Sequence, residues 1–398
     1  MSFFYTFSRE LYHDFISLKF SPHQNIKPSR FAVYYVKIYH HHLGSVLILH
    51  LLMSIIAFII VIAVCVIVHE YGHYITAKIL GVQVHEFAFG MGPAILQRRD
   101  KNGMLWSLRA FPIGGFCRLA GMNEEDDGEK VIPGHGFNEQ SAWKRFLILL
   151  NGSAFNILLA VLLMAFYLWG NGILDMDSTK IGEIMPGFPS EIAGIKAGDE
   201  IQKVNGESVT RWREMSEKIR VEAAKNESVS LEIKRGDETL TLTVNIPNNE
   251  EYGRPMLGIS PSYVRYGIFQ AFRSSAGYIY RMTLMMLRGL AELIMGYQEA
   301  DVTGPVGIAS MSGHALQSGL WGFVSFIAII ALNLGILNLF PIPALDGGRL
   351  LFVVLEIILR RRLPEKVENW IHTAGFVVLI SLMIIVTCKD VYNLFLTH

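Results

Sequence analysis

Four stretches without a charged side chain dominate this 398-residue sequence: residues 51–68, 146–169, 320–345 and 373–388 contain no Asp, Glu, Lys or Arg. A helix needs roughly 20 apolar residues to cross about 30 Å of hydrocarbon, and Trp370 and Ile371 extend the shortest run toward that length. Hydrocarbon holds no water to pair with backbone N–H and C=O groups, so such a run must close its hydrogen bonds internally, as a helix. The expected architecture is a polytopic α-helical membrane protein with four transmembrane helices. A hydrophobic content of 51% and a mean hydropathy of +0.35 agree with that class. Thirty-five basic residues balance thirty-five acidic ones, so no global positive field exists to draw nucleic acid, and that partner is set aside.

Basic residues orient the spans. Arg98, Arg99, Lys101, Arg109, Arg118, Lys130, Lys144 and Arg145 fall between spans one and two, and Arg349, Arg360, Arg361, Arg362 and Lys366 between spans three and four. Both loops are expected on the cytoplasmic side, which leaves the segment from about 171 to 318 outside. The basic residues of the first fifty positions fit this topology poorly, so residues 1–52 are expected to be an atypical extension, with Met53 as an alternative start. Residues 53–170 and 318–398 then form the membrane region. Cys65, Cys117 and Cys388 are too few and too scattered for a disulfide framework or a thiolate metal site, and read as small apolar residues.

The polar interruption of span one is its most telling feature. In "CVIVHEYGH" His69 and His73 lie four residues apart, so on a helix they stack on one face, with Glu70 beside them. Two neutral imidazoles so placed can share a Zn²⁺ ion, while the neighbouring carboxylate stays free to take a proton from water. Polar groups inside a span cost about 2.5 to 3.5 kcal/mol for each charge, which calls for a compensating use. A catalytic zinc needs a third ligand and an open position. Glu86 and Glu139 are candidates. Asp346 in "NLFPIPALDGG" is a better one, because spans one and three run in the same direction and their inner ends share a depth. Pro341 and Pro343 break the helix there, and Gly347 and Gly348 are expected to permit tight turns.

HEYGH, NGSAFN at 151–156, TGPVGIA at 303–309 and NLFPIPALDGG at 338–348 together resemble the signatures of the site-2 proteases, intramembrane zinc metalloproteases, and most closely the bacterial ones that cleave anti-sigma factors. The resemblance runs from about residue 53 to the C-terminus. It implies His69, His73 and Asp346 as zinc ligands, Glu70 as catalytic base and Asn338 as a substrate-positioning residue. Substrates would be single-span membrane proteins, anti-sigma factors or signal-peptide remnants, cut in the bacterial cytoplasmic membrane near its inner face.

A transmembrane substrate must be unwound before its carbonyls can be attacked. "MLWSLRAFPIGGFCRL" at 104–119 reads as a membrane-associated β-hairpin whose edge could receive the extended segment. Gly114 and Gly115 of that hairpin, with Asn338, Pro341 and Pro343, make up the candidate substrate-binding set. Residues 178–262 resemble one external PDZ domain, carried by "AGIKAGDEIQKVNG" at 193–206, with "MLGI" at 256–259 beside its peptide cleft; the expected ligand is a peptide or substrate tail. Arg265, Arg273, Arg281 and Arg288 recur among apolar residues within 263–317, an amphipathic segment expected to lie on membrane lipid. Two alternatives stand beside the intramembrane reading. One is a conventional membrane-anchored protease with a glutamate as third ligand; the other is a catalytically silent PDZ receptor.

Overall fold

The computed structural model describes residues 30–396 except 102, 123–130, 227, 250–252, 298–302 and 363. Two compact units divide at Met53, and the second, Ser54–His398, carries all the elements after the first helix. That first helix, α1, spans Arg30–Ile79. Residues 1–29, over half of the expected extension, lie outside the described residues.

Among the described residues four helices are long and apolar enough to cross a membrane: Ile48–Ile79 within α1, Ala142–Gly170 (α2), Leu320–Leu337 (α7) and Lys366–Tyr392 within the last helix. These are the four spans expected, and the protein is a membrane protein. The third run ends eight residues before its charge-free limit. Asn338 caps α7, and Pro341 and Pro343, which cannot donate the next helical hydrogen bonds, leave residues 338–345 irregular.

Where spans touch, small residues let them. α2 packs extensively against α7, and a Cβ on Gly335 of α7 would stand 3.0 Å from the Ser153 carbonyl oxygen of α2. Gly72 does the same for α1, where an added Cβ would lie 2.3 Å from the Asn151 carbonyl oxygen. Without a hydrophobic drive between lipid-bathed helices, such close approach is what packing can use.

After α1 the chain enters a curled sheet made by β1 (Val84–Arg99) and β2 (Leu105–Leu119). Both strands are folded back on themselves, so Glu86–Phe89 face Leu105–Leu108 on one side and Gly115–Arg118 on the other. The two arms of the hairpin expected within 104–119 do not pair with each other; they flank Glu86–Phe89 of β1, which supplies the strand between them. Gly90, Gly92 and Gly114 adopt positive φ at its corners.

Residues 173–264 build a separate core. β3 (Ile173–Leu174) and β4 (Ile181–Ile184) precede a single turn, α3 (Pro189–Ile192). A sheet in the order β6-β5-β7-β8 follows, from β5 (Glu200–Val204), β6 (Glu207–Ser208), β7 (Ser228–Arg235) and β8 (Glu238–Asn245). Helix α4 (Trp212–Asn226) lays Trp212, Met215, Ile219 and Ala223 onto Ile201, Val204, Leu231 and Ile233, an apolar stripe at helical spacing. Each such side chain contributes about 1.5 to 3 kcal/mol of burial free energy. β9 (Asn248–Asn249) and β10 (Arg254–Pro255) form a small ribbon, β11 (Ile259–Pro261) returns to pair β4, and β12 (Tyr263–Val264) pairs β3.

The amphipathic segment becomes two helices, α5 (Ile268–Ile294) and α6 (Pro305–Gln317). α5 packs its Ala271 and Ile279 into the same apolar cluster as Met164 and Leu168 of α2 and Phe323 of α7. It is thus braced against the spans rather than resting on lipid alone. α8 (Asp346–Leu359) and α9 (Glu365–Leu396) complete the chain. Asp390 of α9 accepts the Gly307 N–H at 2.9 Å, placing a carboxylate on the exposed N–H groups of the first turn of α6. That contact gives TGPVG its use, since a Cβ on Gly307 would approach the Asp390 carboxylate to 3.3 Å.

Candidate metal centre

His69 and His73 are buried on the last part of α1, one turn apart, with ring centroids 4.8 Å from each other. Asp346 arrives from the first turn of α8. Its Oδ2 lies 2.9 Å from His69 Nε2 and 3.1 Å from His73 Nε2, and the two Nε2 atoms are 3.2 Å apart. Among the described residues this is the one group of three His, Cys, Asp or Glu donors close enough to share an ion.

The tautomer of His73 follows from its far nitrogen. Nδ1 sits 2.8 Å from the Ile148 carbonyl oxygen, which can only accept, so Nδ1 carries the proton and donates. Nε2 then turns a lone pair toward Asp346 and His69. The His73 lone pair, His69 Nε2 and a carboxylate oxygen converge at separations near 3 Å, an arrangement that one cation can bridge. Tetrahedral zinc with bonds of about 2.0 to 2.2 Å places its ligand atoms a little over 3 Å apart, so the donor set fits that ion.

Two glycines shape the cradle. A Cβ on Gly152 of α2 would stand 2.2 Å from His73 Nε2 and 2.9 Å from His69 Cε1, so only glycine lets α2 cover the histidine pair. Gly115 is similarly tight, with an added Cβ 2.9 Å from Val66 Cγ1 and 3.7 Å from Glu70 Cγ. The segment after Gly115 therefore runs directly past Glu70, and the Cys117 backbone N–H donates to the Glu70 carboxylate. Gly114, at φ +82°, turns the chain into that segment and rests on Met91.

The loop before Asp346 differs from expectation in one respect. Gly347 and Gly348 do not supply positive φ; they allow close approach, since their Cβ atoms would meet the Phe340 and Ile342 carbonyl oxygens at 2.0 and 2.6 Å. The left-handed residue is Ala344, at φ +78°. Its N–H donates to His372 Nδ1 of α9 at 3.0 Å. His372 is a residue that sequence reasoning missed. It lies 28 positions away in another span, and a lone histidine in an apolar run gives no pairing signal. The Asn338 carbonyl accepts the Gly347 N–H at 2.7 Å, which ties the end of α7 to the start of α8. Pro341 is exposed on this loop and Pro343 half-buried.

The rival ligands are engaged elsewhere. Glu86 is buried in the sheet, where Arg109 and Ser107 donate to it at 2.7 and 2.5 Å. Glu139 accepts the Gly134 and Gly136 N–H groups at 2.6 and 3.1 Å.

Two histidines and a glutamate at the end of the first membrane-crossing helix, met by an aspartate from the start of α8, define a membrane metallohydrolase. The model of peptidase family M50 matches residues 57–382, and the chain belongs to that family. An inferred zinc metalloprotease of Rickettsia conorii is 30% identical over 358 residues, covering 86% of this chain and all of the relative. The regulator of sigma-W protease RasP of Bacillus subtilis is 27% identical over 422 residues, covering 86% of this chain and 99% of its own. A solved PDZ domain from Listeria monocytogenes is 20% identical across 21% of this chain and 85% of that one, with a TM-score of 0.19, too slight a likeness to carry an argument. The protein is a zinc metalloendopeptidase of the site-2 protease type.

Proposed function

We propose that His69, His73 and Asp346 hold the zinc ion and that Glu70 is the proton carrier for hydrolysis of peptide bonds within or near membrane spans. The convergence of three donor atoms from two distant segments carries this reading. Bound there, zinc supplies Lewis acidity, acidifying water and polarising a carbonyl. Glu70 takes the proton from the attacking water and returns it to the departing amine. His73 is held for its task by the Ile148 carbonyl, and Asp346 by the tight loop that Ala344 and His372 pin.

The edge at Gly115–Leu119 is the proposed docking strand. An unwound substrate segment added along it would present its carbonyl beside Glu70, with Asn338 supporting it from the far side and the Pro341–Pro343 loop as the opposing wall. Such strand addition leaves selectivity to side-chain pockets and affinity to the backbone. The sheet's exposed Met91, Ile95, Leu96 and Phe111 favour contact with lipid.

The substrates are single-span membrane proteins, of the anti-sigma-factor or signal-peptide-remnant type, in a bacterial cytoplasmic membrane. The basic loops face the cytoplasm and residues 178–262 face outward as a PDZ domain that admits or rejects substrate tails. Glu70→Gln tests the core of this reading. Loss of a general acid–base costs about 10²- to 10⁴-fold in rate. The variant should retain zinc, since Glu70 is outside the donor set, and accumulate uncut single-span proteins in membranes. Wild-type turnover in that variant would refute the assignment.

A further inference from the structure

The largest cavity described lies at the opposite end of the spans from the histidine pair. Its volume is about 850 Å³, and its walls are the last turns of α2, the first turns of α7, the start of α5 and strands β3 and β12. Aromatic side chains crowd this level: Trp169 and Phe166 of α2 are 47% and 41% exposed, and Phe166 packs against Trp321 of α7 at 5.2 Å. Such a girdle marks the boundary between hydrocarbon and headgroups.

Two chemistries meet in the cavity. Met164, Leu168 and Ile329 line it on the span side, and Arg273 and Arg281 with Tyr263 and Tyr278 line it on the α5 side. Among the described residues no carboxylate faces it, and neither arginine is ion-paired. Gly277 lies midway between the two arginines and lines the cavity with no side chain to occupy it. The site thus offers two guanidinium forks and phenol hydroxyls above an apolar wall, at the depth where a phosphate sits above its acyl chains.

We propose that this cavity binds one anionic glycerophospholipid: its phosphate on Arg273 and Arg281, its glycerol beside Tyr263 and Tyr278, and its chains along Met164, Leu168 and Ile329. Guanidinium is suited to phosphate by its planar, paired donors. The absence of a facing carboxylate among the described residues selects against zwitterionic lipids, whose ammonium group would find no partner. The bound lipid would clamp α5 to α2 and α7. Because β12 runs almost directly into α5, it would also fix the base on which the external domain stands.

The test is native mass spectrometry of the full chain released from detergent, titrated with phosphatidylglycerol or phosphatidylcholine of identical acyl chains. Two arginines near the headgroup plane should favour phosphatidylglycerol by about thirty-fold, retained as a single molecule. Arg273→Gln with Arg281→Gln should abolish the preference; Arg273→Lys with Arg281→Lys should keep most of it; Arg288→Gln, on the same helix but off the cavity, should change nothing. Equal retention of the two lipids by the unaltered chain overturns the proposal without any variant. So does an unchanged preference in the double Gln variant. Displacement of the lipid by equimolar glycerol phosphate would show a soluble-phosphate site instead. Displacement by a single-span substrate peptide would show a peptide site.

Discussion

Gly152→Ala adds one methyl group at the most crowded point of the metal centre. The new Cβ would lie 2.2 Å from His73 Nε2 and 2.4 Å from its Cε1. Unstrained contacts between such atoms lie near 3.5 Å, so the ring or the helix must retreat by about 1.3 Å. Intrinsic propensity opposes this, since alanine is favoured over glycine in a helix interior by about 1 kcal/mol. The clash wins at the site: a displacement of about 1 Å in a catalytic group costs on the order of 10²-fold, equivalent to nearly 3 kcal/mol. If the ring swings, the helices stay packed and the melting temperature holds or rises while zinc affinity falls. If α2 retreats, stability and zinc are lost together. Either route predicts about 10- to 100-fold weaker zinc retention, measured as metal per chain during competition with a chelator. Ser153→Ala, at the neighbouring buried position, adds no atom and should keep the ion. A Gly152→Ala protein that binds zinc with unaltered affinity and cleaves at the normal rate would refute the close approach of α2 to the histidines.

Three further perturbations probe the supports of the site and of the external domain. His372→Ala removes the acceptor for the Ala344 N–H, so zinc affinity should fall about 10- to 100-fold, as for other groups that orient ligands; adding Ala344→Gly, which relieves the positive φ, should recover part of it, and no change in metal content would exclude the role. Glu356→Ala strands Arg145, whose side chain is 7% exposed and bonded to that carboxylate at 2.6 Å; the cost of about 3 to 5 kcal/mol should lower the melting temperature in detergent by at least about 5 °C, and a shift below 1 °C would refute it. Asp199 concerns pH: burial pushes its carboxyl up, but the paired Arg235 bonds at 2.8 and 2.7 Å and the Lys196 N–H more than offset this, so its pKa lies below the usual range. Its stabilisation is present above the unfolded value of about 3.9 and disappears as pH falls through the lower folded value, so Arg235→Gln should move acid-induced opening of the β5–β7 sheet to higher pH by hydrogen exchange. An unmoved transition would remove Asp199 from the account.

What was legible in the sequence was whatever carries a contradiction. Histidines and a glutamate in an apolar run contradict their surroundings, and prolines after an apolar helix contradict continuation. From those conflicts the two halves of the candidate metal centre were proposed, and the structure brings their donor atoms together. The spans were legible for the same reason, because twenty uncharged residues have few other uses. What stayed hidden was pairing. The alternation in 104–119 predicts strands, yet nothing local says that Glu86–Phe89 will be flanked on both sides, since that register closes only when β1 and β2 both fold back. Gly152 was visible only as part of NGSAFN; its reason is a steric contact with a residue 79 positions away. His372 and Asp390 serve backbone N–H groups at Ala344 and Gly307, and a backbone donor leaves no trace in sequence.

The same distinction orders the last span. α9 has none of its apolar window buried, so its hold on the rest cannot come from an apolar interface like that of α2 and α7. Its polar contacts include two near its two ends, His372 to the loop that carries Asp346 and Asp390 to the first turn of α6. In hydrocarbon, where an unmet backbone N–H costs several kcal/mol, two such bonds are a stronger argument for position than the same bonds would be in water. Span four is therefore a splint for the aspartate side of the metal centre. A variant carrying both His372→Ala and Asp390→Ala should lose zinc more readily than the sum of the two single changes if the helix detaches as a unit. Strict additivity in chelator competition would mean that each contact acts alone, and the splint would be the wrong description.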